Sequence, residues 1–76
     1  MYDSAMIIVA YDIAESQRYS RQKLRRQLQR WRFTQVQKSV WQIKGNLPMG
    51  FNNTVSKIVP DDSIRVYFTD VKPSRL

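Results

Sequence analysis

The chain has 76 residues, no cysteine and no histidine, and its 13 Lys and Arg against 6 Asp and Glu give a net charge of +7. These numbers exclude a disulfide-stapled fold, a zinc-finger type of metal site, and catalysis by histidine or by a thiol. Without such staples a domain of this size is only marginally stable, so we expect one domain over residues 1–76 that forms a homodimer. The cationic excess predicts a polyanionic partner, most often nucleic acid.

The cellular compartment follows from what the chain lacks. No apolar run approaches the ~20 residues of a membrane span. The N-terminus has neither the cationic region nor the long apolar region of a signal peptide. We therefore expect a cytoplasmic protein with no membrane partner.

The first predicted element is a strand from about Ala5 to Asp12, because the run from Met6 to Tyr11 is apolar throughout. A helix from about Glu15 to Trp31 follows. Its apolar stripe consists of Leu24, Leu28 and Trp31 at positions i, i+4 and i+7.

The second half of the chain also predicts strands and a helix. The region from Phe33 to Lys44 is rich in strand formers and is either one long strand or two short ones kinked near Lys38-Ser39. A second helix is predicted from Pro48 to Val59, with Pro48 in its first turn. A turn then leads to a last strand, Ile64 to Thr69, and residues 71–76 are expected to form an extended tail. The order β-α-β-(β)-α-β predicts an α+β sandwich, one sheet with both helices on one face.

The first helix carries an unusual excess of cations. No acid occurs between Arg18 and Arg32, so the cations lack partners at i+4 and repel one another. A nucleic-acid contact explains this pattern better than a solvated face, and a membrane-surface helix is weaker because the apolar stripe is narrow. The candidate nucleic-acid-binding residues are Arg18, Arg21, Lys23, Arg25, Arg26, Arg30, Arg32 and Lys38.

Asp12, at the end of the first strand, has two interpretations. It fits the spacing of a capping box in which Glu15 reaches back to it. Alternatively it is a metal ligand, since Mg²⁺ accepts one or two carboxylates and keeps several waters. One carboxylate per chain is too few ligands for a metal site, so this interpretation needs two copies of Asp12 brought together in a dimer.

Other polar and aromatic side chains are weaker candidates. Tyr11 and Trp41 either stack on bases or pack in the core. Ser39 is a polar contact and not an activated nucleophile, because there is no histidine to activate it. The Asp61-Asp62 pair lies in a predicted turn, and we assign it no catalytic role.

Four blocks in order resemble the Cas-two family of CRISPR-associated proteins. They are Tyr11-Asp12-Ile13, the Arg-rich stretch leading to Lys23-Leu24, Val36-Gln37-Lys38-Ser39-Val40-Trp41, and Asp61-Asp62-Ser63-Ile64-Arg65-Val66-Tyr67. The resemblance runs from about Met6 to Phe68. It implies a ferredoxin-like fold, a symmetric dimer, a magnesium-dependent endonuclease acting on RNA or DNA, and a structural role in spacer acquisition beside the Cas-one integrase.

The resemblance also implies which residues act. Asp12 corresponds to the metal-binding aspartate at the dimer cleft, and the early-helix arginines correspond to Arg18 and Arg21. The candidate catalytic residues are Tyr11, Asp12, Arg18, Arg21, Ser39 and Trp41. The chain departs from the family pattern at Gln35, where an arginine is frequent, and at Trp41, where phenylalanine is usual.

The expected function is that of a dimeric CRISPR adaptation protein that binds duplex nucleic acid and hydrolyses phosphodiesters with Mg²⁺. The main alternative is a catalytically silent adaptor that only binds spacer DNA and bridges integrase dimers, which the loss of an arginine at Gln35 favours. A small RNA-binding module of ribosomal type is a third possibility.

Overall fold

The computed structural model describes residues 6–69. Its main elements follow the chain in the order strand, helix, strand, strand, helix, strand. They are β1 Met6–Tyr11, α1 Arg18–Arg30, β2 Thr34–Gln37, β3 Val40–Lys44, α2 Phe51–Ser56 and β4 Ile64–Thr69, with 3-10 turns at Glu15–Gln17 and Asp61–Ser63. The predicted extended tail, residues 71–76, lies outside the described residues.

The four strands form one sheet in the order β2-β3-β1-β4. Every neighbouring pair is antiparallel, and β1 lies in the middle, hydrogen-bonded to both β3 and β4. The two strand–helix–strand units therefore interleave, which is the arrangement of a ferredoxin-like fold. The prediction of an α+β fold with one antiparallel sheet and two helices is confirmed.

One face of the sheet carries the hydrophobic core. Alternation along β1 buries Ile7, Val9 and Tyr11. Val9 lies opposite Trp41 on β3 and opposite Val66 on β4, so these side chains share one face. The alternate residues Met6, Ile8 and Ala10 face the other side of the sheet and are half-buried, so β1 is apolar on both faces although only one face lies under the core.

Both helices pack on that same face. Leu24 and Leu28 of α1 and Phe51 and Val55 of α2 belong to the hydrophobic cluster that contains Val9 and Tyr11 of β1. Trp31, at the end of α1, joins the two helices because its ring lies 5.3 Å from the ring of Phe51. The predicted apolar stripe of the first helix is thus confirmed as its buried side.

The opposite face of the sheet is not covered by any helix among residues 6–69. We call it the open face. Its centre is Ile8, which pairs with Gln42 on β3 and with Tyr67 on β4. Ala10 and Arg65 pair with each other beside it.

The first helix differs from its prediction at the start and agrees at the end. The predicted helix begins at Glu15, whereas the structure has a 3-10 turn at Glu15–Gln17 before α1. At the other end Arg32 adopts a left-handed backbone with φ 72°. The N–H groups of Arg32 and Phe33 donate to the carbonyls of Gln29 (2.9 Å) and Leu28 (3.0 Å), which makes a Schellman C-cap.

The region after α1 resolves into two strands, the second of the two predicted possibilities. Lys38 and Ser39 form the turn between β2 and β3. The pairing register shifts between Gln35 and Gln37, so Val36 lies in a bulge. This short, irregular hairpin brings Lys38 back beside the end of β1, where the Tyr11 hydroxyl lies 3.4 Å from the Lys38 carbonyl.

The second helix is shorter than predicted, and the placement of Pro48 in its first turn is wrong. The helix α2 begins at Phe51, because Gly50 at its N-cap has φ 76°, a left-handed conformation that ends the helix on that side. Beyond Ser56 the chain continues as a turn in which Val59 N–H still donates to the Val55 carbonyl at 3.0 Å.

No helix within residues 6–69 is long and apolar enough to cross a membrane.

Candidate nucleic-acid interface and carboxylate depression

A cleft of about 460 Å³ opens between α1 and the β2–β3 turn. Its cationic lining comes from Arg18, Arg21 and Arg25 on the helix and from Lys38 in the turn. The three arginines lie on one flank of α1 because they are spaced at i, i+3 and i+7. We call this feature the cationic cleft. It is a concave surface in which four positive charges from two separate segments converge.

Arg21 is the deepest cation of the cleft. Its side chain is 24% exposed, and Nη2 lies 3.7 Å from Oε1 of Glu15. This is the one ion pair among residues 6–69, and Glu15 itself is almost fully exposed. The Nε of Arg21 is buried without a hydrogen-bond partner in that part of the chain. A donor left unsatisfied in this way is costly, whereas the exposed part of the guanidinium group can donate to an anion in the cleft.

Tyr11 links the floor of the cleft to the core. Its hydroxyl accepts a hydrogen bond from Trp41 Nε1 at 3.1 Å and faces the Lys38 carbonyl at 3.4 Å. The backbone N–H of Tyr11 donates to the Ser39 carbonyl at 3.1 Å. These bonds hold the turn that carries Lys38 against the end of β1.

For the two aromatic candidates the structure therefore favours packing over base stacking. Trp41 is 1% exposed and has no free ring face. Tyr11 is buried too, although its edge lines the cleft. Tyr11 and Trp41 therefore serve to position the β2–β3 turn.

The lining also contains neutral polar residues, Gln22 on the helix and two on the strand side. Ser39 is half-buried, and Gln35 is exposed with its Nε2 donating to the Lys38 carbonyl at 3.3 Å. Gln35 stands where an arginine is frequent in the family that the chain resembles. The cleft thus has one cation fewer on its strand side, and its positive charge comes mainly from the helix.

Asp12 is not a helix cap, so the capping-box interpretation is wrong. The residue before the 3-10 turn is Ala14 and the residue before α1 is Gln17, and neither position has a side-chain cap. Asp12 instead extends from the sheet end, with its backbone N–H donating to the Ser63 carbonyl at 2.8 Å. Its carboxylate is exposed, and within residues 6–69 it has no ion-pair partner.

Asp12 also lies apart from the cations of the cationic cleft. It lines a second depression, of about 270 Å³, together with Asp62, Ser63 and Arg65. Tyr11 is shared between this depression and the cationic cleft, but Asp12 does not line the cleft. Because Ala10 and Arg65 of the open face border the depression, Asp12 lies at the end of the sheet on the side of that face.

The depression offers donor atoms of the right type for a metal ion, but few of them. Residues 6–69 contain no group of three or more acidic, histidine or cysteine side chains that could hold an ion. The oxygen donors of Asp12 and Asp62 match the chemistry of Mg²⁺, which accepts one or two carboxylates and completes its shell with water. The donor type therefore fits, and the donor number is low within one protomer.

The remaining cations do not belong to the cleft. Lys23, Arg26 and Arg30 line a shallow depression on another side of α1, and exposed Arg32 lies in the C-cap. On a helical wheel the two sets of cations point roughly 140° apart. The eight candidate cations are thus divided among surfaces, and four of them share the cleft.

The sequence does not indicate every lining residue. Asp62 is predicted as a turn residue without a catalytic role, yet the fold brings it beside Asp12. Gln35 replaces an expected arginine, yet it contacts the turn that carries Lys38. A helical wheel would have separated the two cationic sides of α1, whereas the approach of Asp62 depends on strand pairing that only the fold reveals.

Comparison with known proteins gives one match. A family model described as the PaaX protein central Cas2-like domain matches residues 2–74. No curated protein and no solved structure matched the chain. The description of this family agrees with the resemblance at the level of a Cas2-like fold, without marking the chain as a CRISPR protein. Because the match spans nearly the whole sequence, the chain belongs to the family of PaaX central Cas2-like domains.

Proposed function

We propose that the protein binds nucleic acid and that the cationic cleft is the contact surface for the phosphate backbone. The observation that carries this proposal is the convergence of Arg18, Arg21, Arg25 and Lys38 in one cleft with a single weak acidic partner among the described residues. Cations gathered without counter-charges repel one another, and a polyanion relieves that repulsion. Arginine also binds phosphate oxygens through two parallel hydrogen bonds.

The lining determines how such a ligand would be held. Arg18 and Arg25 are exposed and free to follow a backbone, whereas Arg21 is half-buried and held near Glu15. Phosphate contacts of this kind fix position without reading sequence. We therefore expect binding with little sequence preference and with strong dependence on salt.

The test is a binding titration by fluorescence anisotropy on a labelled duplex. Arg25→Ala removes a cleft cation, and Lys57→Ala removes a cation at the end of α2 as the matched control. We expect Arg25→Ala to weaken binding several-fold and Lys57→Ala to leave it close to wild type. Equal weakening by both variants would show that net charge alone drives binding, and the cleft proposal would fail.

A second candidate function is phosphodiester hydrolysis at Asp12. It is supported by the exposed carboxylate, which the fold does not use as a cap, and by Asp62 in the same depression. Mg²⁺ held by Asp12 and Asp62, when bound, would supply an activated water and offset phosphoryl charge. The chain's own part would be to hold the backbone in the cleft while Asp12 faces the scissile bond.

This activity requires a homodimer. One protomer offers few carboxylates, and Asp12 lies at the end of the open face. We propose that two copies pack through the open face, whose centre is Ile8 and Tyr67. Such packing would bring two Asp12 depressions to the same side of the dimer.

The test of hydrolysis compares Asp12→Asn with Asp61→Asn on labelled RNA and on duplex DNA, with and without Mg²⁺. Asp61 is the matched control, because it is the neighbouring acid that does not line the depression. We expect Asp12→Asn to abolish cleavage while binding persists, and Asp61→Asn to retain cleavage. Metal-dependent cleavage that survives Asp12→Asn would refute the catalytic proposal.

The biological setting that the resemblance implies is spacer acquisition beside a Cas-one integrase. In that setting the protein either cuts nucleic acid or acts as a silent adaptor that binds spacer DNA and bridges integrase dimers. Absence of cleavage by the wild-type protein together with co-purification of an integrase from the native host would favour the adaptor. Binding to nucleic acid with no integrase partner would leave the binding function alone.

A further inference from the structure

The outward side of α1 carries an exposed aromatic ring among cations. Tyr19 is 78% exposed. It lines a shallow depression of about 250 Å³ with Lys23, Arg26 and Arg30, and two glutamines complete the lining. We call this feature the Tyr19 depression.

Nothing in the described fold explains this ring. Tyr19 points away from Leu24 and Leu28, which are the residues that α1 buries. Among residues 6–69 its hydroxyl makes no hydrogen bond, and its ring packs against no other aromatic ring. The neighbouring cations likewise have no acidic partner in that part of the chain. A ring and three unpaired cations on one helix side therefore form a surface without a structural role.

The Tyr19 depression cannot serve the same stretch of backbone as the cationic cleft. The two sets of cations point roughly 140° apart around the helix, so a straight duplex seated in the cleft leaves the other side free. Lys23 to Arg30 spans about 10 Å along the helix axis, which is room for only a few nucleotides. The two features adjoin at Gln22, which lines both, but their cations face different directions, so the depression is a distinct and short site.

We propose that the Tyr19 depression binds single-stranded nucleic acid, with an unpaired base stacked on the Tyr19 ring and phosphates held by Lys23, Arg26 and Arg30. An aromatic face beside backbone-tracking cations is how proteins hold single strands without reading sequence. A duplex keeps the faces of its bases inside the stack, so it has no base to offer the ring. A membrane surface fits less well, since a helix lying on lipid needs several apolar residues where this side has one ring.

The Tyr19 depression uses different cations from the cationic cleft, so an experiment can distinguish binding at the two surfaces. Binding of a labelled single strand of about 12 nucleotides and of a duplex of the same length is measured by anisotropy. Each is titrated with the wild type, with Tyr19→Ala and with the matched control Tyr19→Phe, which keeps the ring. All titrations are repeated in the Arg18→Ala, Arg25→Ala background, which disables the cleft.

In both backgrounds Tyr19→Ala is expected to weaken single-strand binding about fivefold or more, which corresponds to one stacked base. Tyr19→Phe should stay within about twofold of wild type, and duplex binding should change little with either variant. The proposal is overturned if Tyr19→Ala leaves single-strand binding intact, if it weakens duplex binding equally, or if Tyr19→Phe loses as much as Tyr19→Ala. Binding to anionic phospholipid vesicles is measured alongside with the same variants. The proposal is also overturned if Tyr19→Ala weakens only vesicle binding, since the occupant would then be a membrane.

Discussion

Tyr11 shows how a single residue can serve both the core and the proposed interface. Its ring is buried beneath the helices, while its hydroxyl accepts a hydrogen bond from the Trp41 indole and contacts the Lys38 carbonyl. The position of the cationic turn therefore depends on a hydroxyl inside the fold. This explains why Tyr11 and Trp41 act through packing instead of touching a base.

Tyr11→Phe should lower the free energy of unfolding by about 1–3 kcal/mol, because the buried Trp41 Nε1 loses its acceptor. Urea denaturation followed by tryptophan fluorescence measures the change. Tyr19→Phe removes an exposed hydroxyl from the same residue type and should leave stability unchanged. A Tyr11→Phe variant as stable as the wild type would mean that this hydrogen bond does not hold the turn.

At the scale of the elements, the two ends of α1 differ in their capping. Its start has no side-chain cap and is preceded by a 3-10 turn, whereas its end closes in a Schellman motif. That motif places Arg32 at φ 72°, where a side chain with a Cβ is strained and glycine is not.

Arg32→Gly should therefore raise the free energy of unfolding by roughly 0.5–1 kcal/mol. The control is Arg30→Gly, two residues earlier at the end of α1, where the backbone is helical and glycine should cost about 1 kcal/mol. Both values come from urea denaturation at the same salt concentration. Changes of the same sign at the two positions would contradict the assigned C-cap.

The elements also show how far the sequence could predict the molecule. The apolar run of β1, the buried stripe of α1 and the strand formers of β4 predict these three elements closely. The start of α2 escapes such prediction, since it depends on the backbone conformation of Gly50 and not on hydrophobicity. For the site, the helix arginines are predictable, but the approach of Lys38 and the separation of Asp12 from the cations arise from the β2–β3 turn and from strand pairing.

At the scale of the whole molecule, the sheet has one face packed under helices and one face open. The open face has Ile8 and Tyr67 at its centre and Arg65 towards the Asp12 depression. An apolar centre with a polar rim is the pattern of a protein interface.

We expect the wild type to sediment as a dimer and Ile8→Lys to sediment as a monomer, because a buried lysine at the centre of the interface would lack a partner. Gln29→Lys, on the exposed surface of α1, adds the same charge away from the open face and should remain dimeric. Circular dichroism checks that both variants are folded. A folded Ile8→Lys dimer would place the interface elsewhere.

The central claim is that the cationic cleft binds the phosphate backbone, and the most direct measurement is the salt dependence of duplex binding. We predict that Arg18→Ala combined with Arg25→Ala reduces the slope of log K against log salt by about 1.8 in magnitude, from two lost phosphate contacts. Lys44→Ala combined with Lys57→Ala removes the same charge outside the cleft and should keep the wild-type slope. An unchanged slope in the cleft variant, or an equal reduction in the control, would contradict the claim.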